Sequence, residues 1–168
     1  MSAEMIESSR MNRIVSVAIL IVCSLVLNGA ARADEAELPL NPAVTQATIT
    51  DTVCVPGWTK SIRPYVREMR IIKAEMLAAI GESHEHRNRF QLDHRIPLAL
   101  RGATIDRRNL MQQPMAIALE KDAIERCLAV AVCDGRLALD EARAAIWRDW
   151  RTAGAVCDAA AGNPGAFD

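Results

Sequence analysis

An uncharged apolar run at residues 14–27 determines which part of this chain can belong to a packed core. Two arginines precede the run and a small-x-small triplet follows it at residues 31–33, the order typical of a cleaved secretion signal. The run is shorter than the roughly 20 residues that a membrane-spanning helix needs. We therefore predict a signal peptide at residues 1–33, with an uncleaved anchor as the alternative. Export predicts a periplasmic or secreted protein with no stable membrane association after signal cleavage.

The chain after residue 33 is long enough for one domain with its own core and too short for two. Three of the 20 basic and two of the 21 acidic residues lie in the signal, which leaves 17 against 19 and a formal charge of −2. The mature sequence thus has no overall basic character of the kind that nucleic-acid-binding domains often show. Residues 60–108 are an exception, with 11 Lys and Arg against 6 Asp and Glu. This excess fits a phosphate-binding surface and a solvated charged face equally well.

Four cysteines remain in the mature chain: Cys54, Cys127, Cys133 and Cys157. None belongs to a C-x-x-C pair, which argues against a structural zinc site. An even number of cysteines in an exported protein predicts disulfide bonds, and four cysteines allow three connectivities. The spacing of these residues leaves all three open.

Hydrophobic spacing divides the mature chain into a few short elements. Apolar residues recur at steps of three and four between residues 65 and 80, which predicts an amphipathic helix that ends at Gly81. Further helices are predicted at residues 115–132 and 139–151, and short strands at 90–92 and 109–112. We expect an extended leader at residues 34–52, a folded domain at 53–157 and a flexible tail at 158–168.

The segment around the two predicted strands carries the residues that chemistry can use. It reads Asp93-His94-Arg95-Ile96-Pro97-Leu98-Ala99-Leu100, then Gly102, then Asn109-Leu110. This order resembles the D-H-x-I-P-L-x-L-x-G…N-L pattern of HNH-like (ββα-metal) nucleases, whereas an Asp-His pair alone would carry no weight. The resemblance implies a strand, a wide loop, a second strand and a helix around one metal ion.

The chemistry of phosphodiester hydrolysis explains these residue types. An imidazole with a pKa of about 6.5 accepts a proton from water at physiological pH better than a carboxylate does. His94 is therefore the predicted general base. Asp93, on the other side of the strand end, is predicted to bind the metal. Asn109 is predicted to bond the loop backbone near His94 and so to orient its ring.

The predicted helix after the second strand departs from the family pattern. The family often places His or Asn about nine and thirteen residues after the central asparagine, on one helix face. Those positions are Ala118 and Asp122. Asp93 and Asp122 would form an oxygen-rich site, so we expect one divalent cation, Mg²⁺ or Mn²⁺, with Zn²⁺ as the alternative. Glu120 and Glu125 are the alternative ligands.

Basic residues near the motif are the predicted contacts to a nucleic acid, DNA or RNA. Binding through backbone phosphates would be sensitive to salt and largely independent of sequence. The candidates are Arg95, Arg101, Arg107, Arg108 and Lys121. Arg101 stands where the family often has glycine.

The resemblance extends over most of the mature chain, to a group of small exported bacterial HNH-like proteins. The blocks that carry it include Cys54 and Cys133 but neither Cys127 nor Cys157. It therefore implies a Cys54–Cys133 bond and leaves Cys127–Cys157 as an additional one. The implied fold class is α+β, a small ββα-metal core with flanking helices, stapled by disulfides.

Two functions fit these residues. The favoured one is metal-dependent hydrolysis of phosphodiester bonds in nucleic acid, with His94 as the general base. The alternative is a non-catalytic exported binding or structural protein that retains the ββα-metal scaffold. Ala118 in place of a ligand and the near-neutral charge of the mature chain support this alternative.

Overall fold

The computed structural model describes residues 38–161, so the predicted signal, the start of the leader and the end of the tail lie outside the described residues. The described part is a mixed structure of helices and one two-stranded sheet. Its main elements are α1 (Trp58–Ser61), α2 (Val66–Ala79), β1 (Phe90–His94), β2 (Leu110–Pro114), α3 (Met115–Cys133) and α4 (Leu139–Ala161). Short 3-10 helices cover Gln46–Asp51, His84–Arg89, Leu98–Leu100 and Arg107–Asn109.

The amphipathic helix expected after residue 65 is α2, and this prediction is confirmed. The helix buries Ile72 and Leu77. It ends where Gly81 takes the left-handed conformation, with φ at 76°. The N–H of Gly81 then bonds to the carbonyl of Ala78, as in many helix C-termini.

The two strands pair in an antiparallel ladder that is longer than the sequence predicts. Phe90 lies opposite Pro114, and His94 lies opposite Leu110. The predicted strand ends at residue 92 because the polar pair that follows breaks the apolar alternation. The ladder continues to His94 because backbone hydrogen bonds do not depend on apolar side chains.

The most extensive contact between elements of the described structure is that of α3 with α4. Both helices bury apolar side chains, among them Leu128 and Val132 on α3 and Leu139 and Ile146 on α4. Full burial of one such side chain contributes roughly 1.5–3 kcal/mol. The two predicted C-terminal helices are thus present and form much of the core.

The last helix, α4, continues past its predicted end at residue 151. Inside it Asp149 has extended backbone, with φ at −161° and ψ at 110°. The Asp149 carboxylate accepts a hydrogen bond from the N–H of Arg151 at 3.0 Å, which is how an N-cap residue starts a helix. Residues 158–161, predicted as the start of a flexible tail, are therefore helical.

The leader is attached to the rest of the described structure at two places. The N–H of Asn41 donates to the carbonyl of Arg101 at 2.8 Å, and Leu40 forms an isolated antiparallel β-bridge with Gly102 of the motif loop. The 3-10 helix Gln46–Asp51 follows, and Gln46 Oε1 accepts the N–H of Leu139 at 2.8 Å. The leader is therefore extended only before this 3-10 helix.

Two disulfide bonds staple the described structure, and they join the expected pairs. The Cα atoms of Cys54 and Cys133 are 5.5 Å apart, and those of Cys127 and Cys157 are 6.1 Å apart. Disulfides of this kind indicate an oxidising compartment. Within residues 38–161 no helix is both long enough and apolar enough to span a membrane.

Candidate active site

Asp93 and His94 end β1, and successive residues of a strand point to opposite faces. Asp93 is 9% exposed and meets Lys121 of α3. His94 is half-buried, and its Nε2 lies 3.0 Å from the carbonyl oxygen of Thr104 in the motif loop. The predicted metal ligand and the predicted base are therefore held by different parts of the structure.

The bond to Thr104 determines which nitrogen of His94 is basic. A carbonyl oxygen only accepts, so Nε2 carries the proton and Nδ1 has the free lone pair in the neutral ring. Burial lowers the pKa of His94, and the charges of Lys121 and Arg63 add to this, against the bond to Thr104 and the charge of Asp93. The ring is therefore neutral at physiological pH, as a general base requires.

Asn109 is fully buried and bonds both sides of the motif loop. Its Oδ1 accepts the N–H of Ile96 at 2.8 Å, and its Nδ2 donates to the carbonyls of Ile96 at 3.0 Å and Ala103 at 2.9 Å. Ala103 directly precedes Thr104, so this side chain holds the carbonyl that receives the His94 bond. Asn109 lies at the end of a 3-10 helix before β2 rather than on the predicted strand.

Two backbone positions allow the loop to close on Asn109. A Cβ atom on Gly102 would overlap the carbonyl oxygen of Ile96 and lie 2.7 Å from Asn109 Nδ2, so only glycine fits. Arg101 has φ at 75° and ψ at 12°, and it alone among the non-glycine residues of the described part has a positive φ. Glycine adopts this left-handed conformation without steric cost, whereas a residue with a Cβ atom adopts it at a cost.

The structure corrects the prediction that Lys121 contacts phosphate. Its side chain is completely buried, and its Nζ donates to Asp93 Oδ2 at 2.8 Å, to the carbonyl of His94 at 2.7 Å and to Glu125 Oε1. These three bonds use all three N–H groups of the ammonium. The reason is helical spacing, since Lys121 and Glu125 lie one turn apart on the face of α3 that packs on the end of β1. Lys121 is thus an internal counterion.

Two carboxylates share this one ammonium, so the cluster has an excess negative charge when all three groups are ionised. Burial raises the pKa of Glu125 to about 7, opposed by Lys121 and assisted by the charges of Asp93 and Asp122. Burial alone would lower the pKa of Lys121, but Glu125 and Asp93 outweigh it and the net shift is upward. Near neutral pH the proton therefore stays on Lys121, and Glu125 exchanges a proton with solvent.

Asp122 lines the same cleft as Asp93, His94 and Glu125. Mg²⁺ is commonly held by one or two carboxylates, with water and substrate phosphate completing its shell, and Mn²⁺ also suits oxygen ligands. This donor set fits a hydrated Mg²⁺ or Mn²⁺ ion better than Zn²⁺. Ala118, at the other family position, is buried in the core. Within residues 38–161 no three His, Cys, Asp or Glu residues form a compact metal-binding group.

The four arginines predicted to meet phosphate all have partners within the protein, and none of them lines the cleft that contains His94. The partners are the Trp147 ring for Arg95, the Asn41 carbonyl for Arg101, Glu75 for Arg107 and Asp106 for Arg108. The basic residues near the motif in sequence are therefore not the ones near His94 in space.

Other cations line this cleft, which has a volume of about 1160 Å³. They are Arg63, Arg70, Lys73 and Arg126. The excess of basic residues at 60–108 indicated that the first three could bind phosphate, but it did not distinguish them from the other basic residues of that stretch. Arg126 lies in the acidic C-terminal part and had no such signal.

Comparison of the chain with protein-family models, curated proteins and solved structures found no match. The resemblance to HNH-like nucleases therefore rests on the motif residues of the sequence.

Proposed function

We propose that this chain is an exported, metal-dependent nuclease of the HNH-like type, which hydrolyses phosphodiester bonds in nucleic acid in the periplasm or outside the cell. The observation that carries the proposal is the link between His94 and Asn109 through the adjacent carbonyls of Thr104 and Ala103. A buried asparagine that holds the loop supporting a neutral histidine is an arrangement suited to a general base. In this proposal β1, β2 and α3 are the ββα-metal core.

The protein's own groups have separate roles in this reaction. His94 Nδ1 accepts the proton of the attacking water, while the Nε2 bond to Thr104 holds the ring in one orientation. Asn109 keeps the loop from moving away from the ring. Lys121 bonds both the Asp93 carboxylate and the His94 carbonyl, so it positions the end of β1.

Asp93 and Asp122 would hold one Mg²⁺ or Mn²⁺ ion, with Glu125 as the alternative ligand and Zn²⁺ as the alternative ion. When bound, the ion would neutralise charge on the phosphoryl oxygens and on the leaving 3′ oxygen. Asp93 Oδ2 already accepts a hydrogen bond from Lys121, so an ion would share this carboxylate with the ammonium.

The test is cleavage by the oxidised protein, with plasmid DNA, single-stranded DNA and RNA as substrates and Mg²⁺, Mn²⁺ and Zn²⁺ supplied in turn. We expect cleavage by the wild type and by His84→Ala, an exposed histidine outside the cleft, and a large loss in His94→Ala. Cleavage that is equal in wild type and His94→Ala, or absent from both, would contradict the proposal.

A second function, non-catalytic binding or a structural role outside the cytoplasm, is favoured by one observation. Asp93 is paired with Lys121, and one of the two helix positions at which HNH-like proteins often have a ligand is the buried Ala118. Calorimetric titration with Mg²⁺ and Mn²⁺ separates the two functions. A nuclease site should lose metal binding in Asp93→Ala and Asp122→Ala, whereas a bare scaffold should show no difference between these variants and the wild type.

A further inference from the structure

The cleft beside His94 contains arginines that the protein leaves available. Arg63, Arg70 and Arg126 are exposed, and within residues 38–161 none of them forms an ion pair with a carboxylate. Arg107 and Arg108, outside the cleft, pair with Glu75 and Asp106. In the described part of the chain Arg67, Arg89 and Arg148 are also exposed without an ion pair, but only Arg63, Arg70 and Arg126 line the cleft that contains the candidate base. A guanidinium without a carboxylate partner is suited to bind phosphate.

The three arginines come from different walls of the cleft. Arg70 lies on α2 and Arg126 on α3, while Arg63 lies in the segment between α1 and α2. Arg63 is close enough to His94 for its charge to act on the imidazole. A phosphate bound by Arg63 would therefore lie near the candidate base, and phosphates at Arg70 and Arg126 would lie in the same cleft.

The rest of the lining indicates which form of nucleic acid fits. Apolar side chains of α2, α3 and the motif loop line the same cleft as these cations, among them Val66, Met69, Leu98, Ala129 and Val130. A duplex presents mainly charged phosphates to a protein, whereas an unpaired strand also presents the apolar faces of its bases. The volume of about 1160 Å³ is larger than most sites for small ligands, which suits a segment of polymer.

We infer that this cleft binds the backbone of a single-stranded nucleic acid, with Arg63 on the phosphate beside His94 and Arg70 and Arg126 on neighbouring phosphates. The inference rests on the proposed function for the position of the reacting phosphate. In this inference Arg63, Arg70 and Arg126 bind phosphate. The residues predicted from sequence for that role do not: Arg95, Arg101, Arg107, Arg108 and Lys121.

The test measures binding and cleavage separately. Fluorescence anisotropy with a labelled single-stranded oligonucleotide uses His94→Ala as the parent, so that the probe stays intact. Arg63→Ala, Arg70→Ala and Arg126→Ala are added singly. Arg67→Ala, at an exposed arginine outside the cleft, is the matched control, and Arg107→Ala and Arg108→Ala are ion-paired controls. We expect each cleft variant to bind more weakly and to lower the slope of log affinity against log salt by roughly 0.7, while the controls match the parent. Arg63→Lys should restore part of the loss. Thermal unfolding of each variant identifies any loss of folding.

The outcomes separate this inference from the proposed function. Weaker binding in the cleft variants supports the inference that the cleft binds a single strand, even if the wild type does not cleave any substrate. Absence of cleavage would contradict only the proposed nuclease function. If the wild type cleaves and the folded cleft variants show unchanged binding and unchanged KM, the inference about the cleft is overturned and the proposed nuclease function stands. A loss confined to the controls, or a duplex bound as tightly as the single strand, would also overturn the inference.

Discussion

The ammonium of Lys121 lies 2.8 Å from a carboxylate oxygen of Asp93, and no part of the Lys121 side chain is exposed. This pair joins α3 to the end of β1, at the residue before the candidate base. A buried ion pair gives little net stability relative to apolar residues, but the loss of one partner leaves an uncompensated charge. The Asp93–Lys121 contact therefore makes the geometry of the site depend on one lysine.

Lys121→Met should destabilise the protein by about 3–5 kcal/mol, because it leaves the carboxylates of Asp93 and Glu125 without their counterion. Urea unfolding at neutral pH measures the change. Lys60→Met, at an exposed position, is the control and should change stability by less than about 0.5 kcal/mol. A loss as small in Lys121→Met as in the control would contradict the enclosed ion pair.

Glu125 should make the protein less stable as pH rises from about 4.5 to about 7. Its pKa is raised to about 7 in the folded state, so the folded protein binds more protons than the unfolded chain in this window. The charged groups that face it are Lys121, Asp93 and Asp122. Glu125→Gln should remove part of this decline in the free energy of unfolding, whereas the exposed Glu120→Gln should not. Identical pH profiles for wild type and Glu125→Gln would refute the assignment.

Asn109→Asp should cost at least about 2 kcal/mol, because a carboxylate cannot donate to the carbonyls of Ile96 and Ala103. Cleavage should fall further than the loss of folded protein explains, since the support of His94 is disturbed. Chemical unfolding and turnover under folding conditions measure the two effects. The exposed Asn88→Asp provides the control, and equal behaviour of the two variants would argue against the role of Asn109 in the loop.

Arg101→Gly should be more stable than Arg101→Ala by about 1 kcal/mol or more. Both variants lose the bond from Arg101 Nε to the Asn41 carbonyl, but only glycine adopts a φ of 75° without steric cost. Thermal or urea unfolding of the two variants gives the difference directly. If the Arg101→Ala variant had the same free energy of unfolding as Arg101→Gly, the left-handed conformation at residue 101 would be contradicted.

The two disulfides should contribute unequally. The Cys54–Cys133 bond spans 79 residues and the Cys127–Cys157 bond spans 30, which in the chain-entropy model correspond to about 4.5 and about 3.6 kcal/mol. Paired Cys→Ser replacement at each bond, followed by urea unfolding, tests the order. A larger loss from the shorter span would show that native packing rather than loop entropy dominates.

The long helices and the order of the motif were predictable from sequence because the signals are local. The spacing of apolar residues predicts α2 and the packed faces of α3 and α4, and Gly81 predicts where α2 ends. The strands were placed less well, since Asp93 and His94 belong to a ladder that depends on a partner strand in another segment. The continuation of α4 past residue 151 depends on a cap by Asp149 that periodicity does not contain.

The sequence by itself determined that Asp93, His94, Gly102 and Asn109 stand at the spacing of a strand, a loop and a second strand, because residue type and spacing act over short distances. Only the tertiary structure decided which charges face one another. Lys121 is 28 residues from Asp93 in the chain, and its burial against that carboxylate arises when α3 packs on β1. Tertiary packing likewise places Arg63, Arg70 and Arg126 in the cleft and Arg107 and Arg108 outside it. The environment of a charge is a property of distant segments brought together, so a linear pattern of basic residues does not predict it.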